Sequence, residues 1–504
     1  MLPSRQIGEL LRILDAFGKQ TAKPITWRQS KVRELSEKFS SSTPESDERA
    51  WSKEIFGGDD HEDEYVRLRS KLKRKLVDQL FSLRLERGSA LRKAMYHNYR
   101  TLFAIKTLLL LGGRSVAIWL VAPALERARK FELTMDQVEL LSILRQHATL
   151  TGDKLKFAQY AAELNEVMKI RLAELRMSFL LQRVEIEAVG RAGPSDVLRK
   201  VASQSLPEAR EIFDEFPTFV IGLGYFRLAA THAEVEEDHS SCVKITQGAE
   251  NFLSRFAHQS SISFLGEFAI KRLASAVALF DLEQASEAMK LCERYYAYGV
   301  NSWFVWKGYE FKILMHTLRF EDAARVHTEV TSHDRYLAQS EQVRQRWTLY
   351  GHYVILAQSH ERQIDSPALR RVVRSGIHQV PIFARDKAGY NISLLILRYL
   401  ILLIEGDIDA IIGQSEALAQ YLRRHLRGKR ETALYSFIKT LSLLEKSGFQ
   451  LESIRSRASR FVVQFSRKER EEIDEAQILP FSYMWRLIVE AAERLETRRH
   501  SPIP

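Results

Sequence analysis

The sequence predicts an all-α protein in which antiparallel helical hairpins stack one after another into an α-solenoid. Three observations support this prediction: glycine and proline are scarce, at 23 and 12 of 504 residues, apolar residues recur at helical spacing, and turn markers return about every 40 residues. An all-β fold would need a turn about every ten residues. A period between about 20 and 50 residues is typical of solenoids, because each hairpin covers its apolar face with the next.

Residues 1–95 are predicted to form a charged helical N-terminal region. Pro44 and Gly57 interrupt it within a polar stretch, which indicates a flexible connector over residues 40–64. Leucines then recur at helical spacing, with basic residues on the other face. These leucines are Leu68, Leu72, Leu76, Leu80 and Leu83.

Residues 96–450 are predicted to form the repeat array, and residues 451–504 its C-terminal capping helices and a basic tail. Each repeat has an apolar helix, a short turn and a second helix with small residues. The gaps 152–280 and 320–406 fit about three and two further units of the same length. The turn markers are Gly112-Gly113, Gly152-Asp153, Phe280-Asp281, Arg319-Phe320 and Glu405-Gly406-Asp407.

The second helices carry alanine at positions that face the neighbouring helix. After Asp281, residues Ala285, Ala288, Met289 and Cys292 form one stripe at 3.6 residues per turn. A small side chain lets the two helices of a hairpin approach closely, and larger residues fill the space between hairpins.

Two segments, FDLEQASEAMKLCERYY (280–296) and LRFEDAARVHTEV (318–330), resemble the turn and second helix of tetratricopeptide repeats. In that motif a small residue follows the turn, here Ala285 and Ala323. GGRSVAIWLVAPALERA (112–128) is similar through its alanines, and GDIDAIIGQSEALAQYL (406–422) is similar more loosely.

The chain also departs from the repeat family. Its units are nearer 40 residues than the family's length of about 34. The first-helix glycine and terminal proline are mostly missing, and Pro123 lies inside a predicted helix, which it should kink. As a whole, the chain resembles bacterial proteins with a charged helical N-terminal region ahead of a degenerate repeat array. The resemblance implies a right-handed TPR-like solenoid that acts in protein–protein interaction or as a scaffold, without catalysis.

The motifs of common enzyme classes are missing from the sequence. There is no P-loop, no HExxH helix and no GxSxG elbow. Gly222-Leu223-Gly224 has neither a third glycine nor a preceding strand pattern, so a dinucleotide fold is not supported. We therefore expect neither an enzyme nor a bound cofactor.

Metal sites are not predicted either. Cys242 and Cys292 are the only cysteines, and no CxxC pair is available for zinc or dithiol chemistry. The acidic runs Asp59–Glu64 and Glu234–His239 lack the spacing of a calcium loop, and we interpret them as solvated loops. Two unpaired thiols fit a reducing cytoplasm best.

The segment 107–125 has the length of a membrane span, but Gly112, Gly113 and Arg114 lie at its centre. A charge at that depth is costly, so the sequence favours two helices that meet at a Gly-Gly turn. We expect a soluble, cytoplasmic protein without a membrane partner.

Trp303, Trp306 and Tyr309 crowd one segment and are the candidate partner-binding residues. Tryptophan and tyrosine are frequent anchors of protein interfaces. The alternative is that these large side chains fill the core at the start of a repeat helix.

The chain has a formal net charge of +11 and a pI of about 9.4, which favours long-range attraction of polyanions. Basic helices can lie along a phosphate backbone, with Tyr421, Tyr435 and Phe437 near enough in sequence to offer stacking. The alternative is that the basic runs are solvated faces paired with acids of adjacent hairpins. The candidate polyanion-binding residues are Arg69, Lys71, Lys73, Arg74, Arg370, Arg371, Arg423, Arg424, Arg427, Lys429 and Arg430.

Two functions remain from the sequence. The first is a non-catalytic protein–protein interaction or scaffold protein that binds its partner on a helical-repeat surface. The alternative is a nucleic-acid-binding helical repeat protein that uses basic helix faces.

Overall fold

The computed structural model describes the following residues, which make up most of the chain. They are residues 4–18, 30–40, 48–57, 61–81, 83, 85, 88–189, 196–256, 258–259, 262–362, 390–425, 432–469, 471–474 and 476–500. Within them the structure has 21 helices and no strand, which confirms the all-α prediction. The chain divides into two compact units, Met1–Arg171 (unit 1) and Leu172–Pro504 (unit 2).

Unit 1 contains seven helices and the first half of an eighth. They are α1 (Ser4–Gly18), α2 (Ser30–Ser40), α3 (Glu48–Phe56), α4 (Glu62–Leu80), α5 (Ala90–Leu110), α6 (Arg114–Lys130), α7 (Thr134–Thr151) and α8 (Lys154–Ala188), which continues into unit 2.

Helix α3 lies within residues 40–64, the stretch for which the sequence predicts a flexible connector. Its residue Ile55 is buried, and the Trp51 ring contacts the Phe39 ring edge-on at 5.2 Å between centroids. Two apolar residues four positions apart give even this short, charged helix a face to pack against α2.

The apolar segment 107–125 forms the end of α5 and the first part of α6, which meet at Gly112 and Gly113 as predicted. Helix α6 continues through Pro123. Among the described residues, every helix is too short or too polar to cross a lipid bilayer.

Unit 2 continues with thirteen helices, and from the first of them onward each helix packs against the next. They are α9 (Asp196–Glu215), α10 (Phe219–Val235), α11 (His239–Ser254), α12 (Ile262–Ala278), α13 (Leu282–Tyr295), α14 (Asn301–His316), α15 (Phe320–Thr331), α16 (Glu341–Glu361), α17 (Tyr390–Glu405), α18 (Ile408–His425), α19 (Ala433–Lys446), α20 (Leu451–Lys468) and α21 (Phe481–His500).

One turn geometry recurs between helices in both units. A residue with positive φ ends the helix, and the next amide donates a hydrogen bond to the carbonyl five residues earlier, as Asp281 N does to Ala276 O at 2.9 Å. Where that next residue is aspartate, its carboxylate caps the following helix; Asp281 accepts from Gln284 N at 3.0 Å. The residues with positive φ in the eight described turns of this kind are Gly112, Glu132, Gly152, Glu237, Phe280, Leu318, Gly406 and Gly448.

All five predicted turn markers coincide with turns of this geometry, and the predicted alanine positions Ala117, Ala124, Ala285, Ala288 and Ala323 are buried. The stretch 152–280, predicted to hold about three equal units, instead begins with the 35-residue α8. A helix of this length does not fit a 40-residue hairpin, so the regular period is lost there.

The C-terminal segment, the described residues 471–474 and 476–480 between α20 and α21, runs back across earlier helices of unit 2. Ile473 N donates to Ala278 O at 2.6 Å, and Ser393 Oγ donates to Ala476 O at 2.5 Å. In a solenoid each repeat contacts only its neighbours. These contacts between distant positions are an addition that the repeat pattern did not predict.

Candidate functional site

A groove of about 490 Å³ lies among α13, α14 and α15, and we call it the α14 groove. It combines an apolar floor with charged side chains from α14 and α15. Its lining residues are Met289, Lys307, Glu310, Ile313, Leu314, Arg319, Asp322, Arg325, Val326 and Glu329.

One side of the groove is built around Lys307 of α14. Its Nζ lies 2.9 Å from Glu310 Oε2 and 2.9 Å from Glu329 Oε2. Burial lowers the pKa of Lys307, but the two carboxylates outweigh it and the pKa is raised overall. With one ammonium and two carboxylates, this side of the groove has a net charge of −1.

The other side of the groove is built around Asp322 of α15. Its carboxylate pairs with the guanidinium groups of Arg319 and Arg325, whose side chains are 63% and 79% exposed. The hydrogen bond from Arg319, followed by that from Arg325, lowers the pKa of Asp322. With two guanidiniums and one carboxylate, this side has a net charge of +1, so the groove presents both signs.

The predicted partner-binding residues lie behind this groove. Trp303 and Trp306 are only 3% and 6% exposed, and Tyr309 is half-buried against the same core. The Lys307 ammonium lies 4.8 Å from the Trp306 ring and 5.7 Å from the Trp303 ring. Their packing matches the core alternative for this segment: the tryptophans support Lys307 and do not present a surface themselves.

The predicted polyanion-binding residues are partly described. Lys71, Lys73 and Arg74 are exposed on α4 and make no ion pair with a described residue, while Arg69 beside them is half-buried. Arg423 is exposed near the end of α18. The predictions Arg370, Arg371, Arg427, Lys429 and Arg430, and the side chain of Arg424, lie outside the described residues.

The aromatic residues suggested for base stacking are not available on the surface. Phe437 is fully buried, where it stacks on Phe481 at 4.5 Å, and Tyr421 is 9% exposed. Tyr435 is partly buried. They are core residues because they occupy the apolar faces of α18 and α19.

The described residues of the acidic runs, 61–64 and 234–239, lie at helix ends and in a tight turn between helices and not in open loops, which corrects the sequence interpretation for them. Glu62, Asp63 and Glu64 form the first turn of α4, and Asp238 caps α11 by accepting from Ser241 N at 2.9 Å. Carboxylates at a helix N-terminus interact favourably with the helix dipole. Among the described residues, no group of three or more His, Cys, Asp or Glu side chains could hold a metal ion.

The cysteines and the Gly222 segment have structural explanations. Both thiols are buried, and burial raises the pKa of the Cys292 thiol to about 12, so it does not react as a thiolate at neutral pH. A Cβ on Gly222 would lie 2.1 Å from the Phe252 ring. Gly222 therefore permits close packing of α10 on α11.

Sequence reasoning missed a second cluster, at the start of α21. Tyr483 Oη lies 3.0 Å from Glu361 Oε1 and 2.9 Å from His360 Nδ1, and His360 Nε2 lies 2.8 Å from Glu490 Oε2. These residues come from positions more than 100 apart, so no local motif indicates them. Burial, and then Glu361, raise the pKa of Tyr483, which therefore acts as a protonated donor and not as a nucleophile.

A cavity of about 260 Å³ adjoins this cluster. Its charged groups are mostly paired, as in the contact of Arg486 Nη2 with Glu361 Oε1 at 3.2 Å. The cavity is lined by Phe280, His316, Leu318, Glu469, Pro480, Ser482, Tyr483 and Arg486. Its walls come from α21 and from the turns before α13 and α15. The cavity therefore lies where the C-terminal part of unit 2 packs against its earlier helices.

Among the described residues, the α14 groove thus combines a volume of about 490 Å³ with charged side chains of both signs. Neither a family model nor a curated protein sequence matches this chain.

Proposed function

We propose that this protein is a non-catalytic protein-binding or scaffold protein, and that the α14 groove holds a segment of its partner. The observation that carries the proposal is the groove itself: about 490 Å³ with an apolar floor and two sides of opposite net charge. Concave sites with an apolar lining and a few fixed polar groups are the usual places for recognition.

The proposal includes a right-handed, tetratricopeptide-like solenoid as the framework of the groove. The recurrent turn and the buried alanines after it support this arrangement, since both let consecutive helices pack closely. The C-terminal segment is then an addition that ties α12, α14 and α17 together.

A binding role fits the charge states in the groove better than catalysis does. A general acid or base needs a pKa near the working pH. Here the pKa of Lys307 is raised and that of Asp322 is lowered, so both stay charged at neutral pH. Fixed charges position a ligand, but they do not exchange protons with it.

The groove is suited to a segment that carries an acidic and a basic residue on either side of apolar ones. The apolar floor of Met289, Ile313, Leu314 and Val326 would supply most of the affinity, because exposed ion pairs contribute only about 0.2–1 kcal/mol each. The charges would set the orientation and the choice of partner.

The test is selection of peptides from a random display library against the full chain, followed by affinity measurement on variants. Arg325→Glu reverses the most exposed charge of the groove, and Arg460→Glu is the matched control on an exposed face of α20. We expect selected peptides to bind R325E about tenfold more weakly. The substitution removes one favourable charge contact with the peptide and introduces one unfavourable contact. They should bind R460E as well as they bind the wild type.

The proposal is abandoned if no peptide is enriched. It also fails if R325E and R460E have the same effect, because binding would then lie outside the groove.

A second function, nucleic-acid binding, is favoured by one observation: Lys71, Lys73 and Arg74 are exposed on α4 without ion-pair partners among the described residues. We propose it as the alternative. Binding should weaken steeply between about 50 and 200 mM salt. Gel shifts of labelled RNA and duplex DNA with K71E/K73E, against K244E/K290E as the charge-matched control, test it. Equal loss in both variants, or no shift at all, removes this alternative.

A further inference from the structure

The second half of α8 exposes a row of large apolar side chains, which we call the α8 seam. Each is about half exposed or more, although the helix also has a separate buried face. The seam residues are Leu172 (64% exposed), Leu175 (50%), Phe179 (48%), Ile186 (71%) and Val189 (74%), the last just beyond the helix.

The spacing of the seam is that of a coiled-coil face. Its positions, with Gln182 between Phe179 and Ile186, are separated alternately by three and four residues, a repeat of 3.5. The buried residues Met177, Leu180 and Val184 lie on a different face of the same helix and pack into the core of unit 2. The seam is therefore a second apolar face about 25 Å long, at 1.5 Å per residue.

A contiguous exposed row of this kind differs from isolated apolar residues, which are common on protein surfaces. Extended apolar patches on a folded protein mark contact sites for other macromolecules. Because the residues repeat along one helix, the shape that matches them is a second helix.

One of the two edges of the seam is basic. Arg176 and Arg183 each follow a seam position by one residue, and their guanidinium carbons lie 5.2 and 5.8 Å from the Phe179 ring. Arg176 pairs with Glu208 of α9, whereas Arg183 makes no ion pair with a described residue. In coiled coils, residues at such edge positions select the partner by charge.

This charge pattern disfavours a second copy of the chain. An antiparallel copy places its arginines at 176 and 183 against the same arginines, and a parallel copy places Arg176 against the arginine at position 171. Like charges across a helical interface are unfavourable. A helix with acidic residues along its edge avoids this conflict.

We propose that the α8 seam docks an amphipathic helix of another protein, with apolar residues at heptad spacing and acidic residues facing Arg176 and Arg183. Apolar contact supplies the affinity and the arginines supply the selectivity. This surface lies on α8 and does not involve the α14 groove, so the two proposals stand or fall separately.

The test uses the full chain and two synthetic three-heptad helical peptides with identical Leu and Ile positions. One peptide has Glu at every edge position and the other has Lys. By fluorescence anisotropy, the acidic peptide should bind at least about tenfold tighter. R176E/R183E should reverse this preference, and R183E alone should reduce it without disturbing the Arg176–Glu208 pair.

Ile186→Glu should abolish binding of the acidic peptide, while Val463→Glu should leave it unchanged. Val463 of α20 is the matched control because it is 69% exposed and lies elsewhere on unit 2. The proposal is overturned if neither peptide binds, or if the preference for the acidic peptide persists in R176E/R183E. It is also overturned if sedimentation shows a dimer that I186E disrupts, because a second copy would then cover the seam.

Discussion

Two regions of unit 2 use the same kind of contact over very different distances along the chain. In the consecutive helices α14–α16, partly buried His327 has its Nε2 at 3.0 Å from Trp347 O, 20 residues away. Where the C-terminal segment packs against α14, which we call the C-terminal closure, buried His316 has its Nε2 at 3.0 Å from Gln477 O, 161 residues away. The chemistry is equal, but Gln477 belongs to a segment whose described residues 471–474 and 476–480 form no helix, whereas Trp347 lies within α16. We infer that the C-terminal segment opens before the helices α14–α16 do.

The largest expected effect comes from removing a buried ring in each region. Phe481→Ala removes a ring that stacks on Phe437 at 4.5 Å, and Phe311→Ala removes one that stacks on Tyr350 at 4.5 Å. Both side chains are fully buried, so each change should cost about 3–5 kcal/mol. Hydrogen exchange should show lost protection in α21 for F481A and in α14–α16 for F311A.

If F481A instead removes protection in α14–α16 as strongly as in α21, the two regions unfold as one unit and the comparison is wrong.

The second prediction uses pH to separate the regions. Burial lowers the pKa of His316 to about 4, below the 6.5 of the unfolded chain, although its bond to Gln477 raises it slightly. The unfolded chain therefore binds the proton first, so stability is complete above about pH 6.5 and falls as the pH drops towards 4. The loss should reach about 3 kcal/mol.

His316→Gln removes the titrating group from the C-terminal closure. Burial also lowers the pKa of His327. We expect H316Q to reduce the loss of hydrogen-exchange protection that acid causes in α21, and H327Q to reduce the same loss in α15–α16. The readout is hydrogen exchange at pH 7 and pH 5. An unchanged acid loss in α21 of H316Q would show that His316 is not its source.

A smaller effect is expected from single hydroxyl groups. Tyr483→Phe removes the donor to Glu361 beside His360, and Tyr353→Phe removes a donor to Ser393 O at 2.7 Å. A bond to a charged group is worth about 1.5–3 kcal/mol and a neutral one about 0.5–1.5 kcal/mol. Urea unfolding should therefore rank Y483F as the more destabilised. The reverse ranking would mean that the C-terminal contact adds little.

The sequence could predict what neighbouring residues decide. Asp281 after Phe280, and Asp407 after Gly406, combine a helix stop with a cap for the next helix, and both turns form where expected. Buried Ala285 and Ala323 likewise follow from spacing within a single helix. These features are local, so a pattern in the chain is enough to indicate them.

The rest could not be predicted because it depends on residues far apart. Gln477 and Ala476 belong to a stretch without helical periodicity, and their partners His316 and Ser393 are 161 and 83 residues away. Near the α14 groove, the sequence singled out the tryptophans as candidate binding residues. The accessible groups are instead charged residues such as Arg325, whose sequence pattern is that of any solvent-exposed helix face. Only packing distinguishes them.

The smallest effects should come from the recurrent turn, and they should have opposite signs at two matched positions. Gly152 and Glu237 both have positive φ and both precede a capping aspartate. A Cβ at Gly152 would meet no atom within 4 Å, so the cost of Gly152→Ala is that of the backbone alone, about 1 kcal/mol. Glu237→Gly should relieve the same strain and stabilise the folded state by about 0.5–1 kcal/mol. Part of this gain is offset because glycine raises the conformational entropy of the unfolded chain. Thermal unfolding gives the two signs. In E237G, hydrogen-exchange protection should change only in α10 and α11 and stay unchanged in α21, because a turn fixes only the helices it joins. A change of protection in α21 would mean that local turns and the C-terminal closure are coupled.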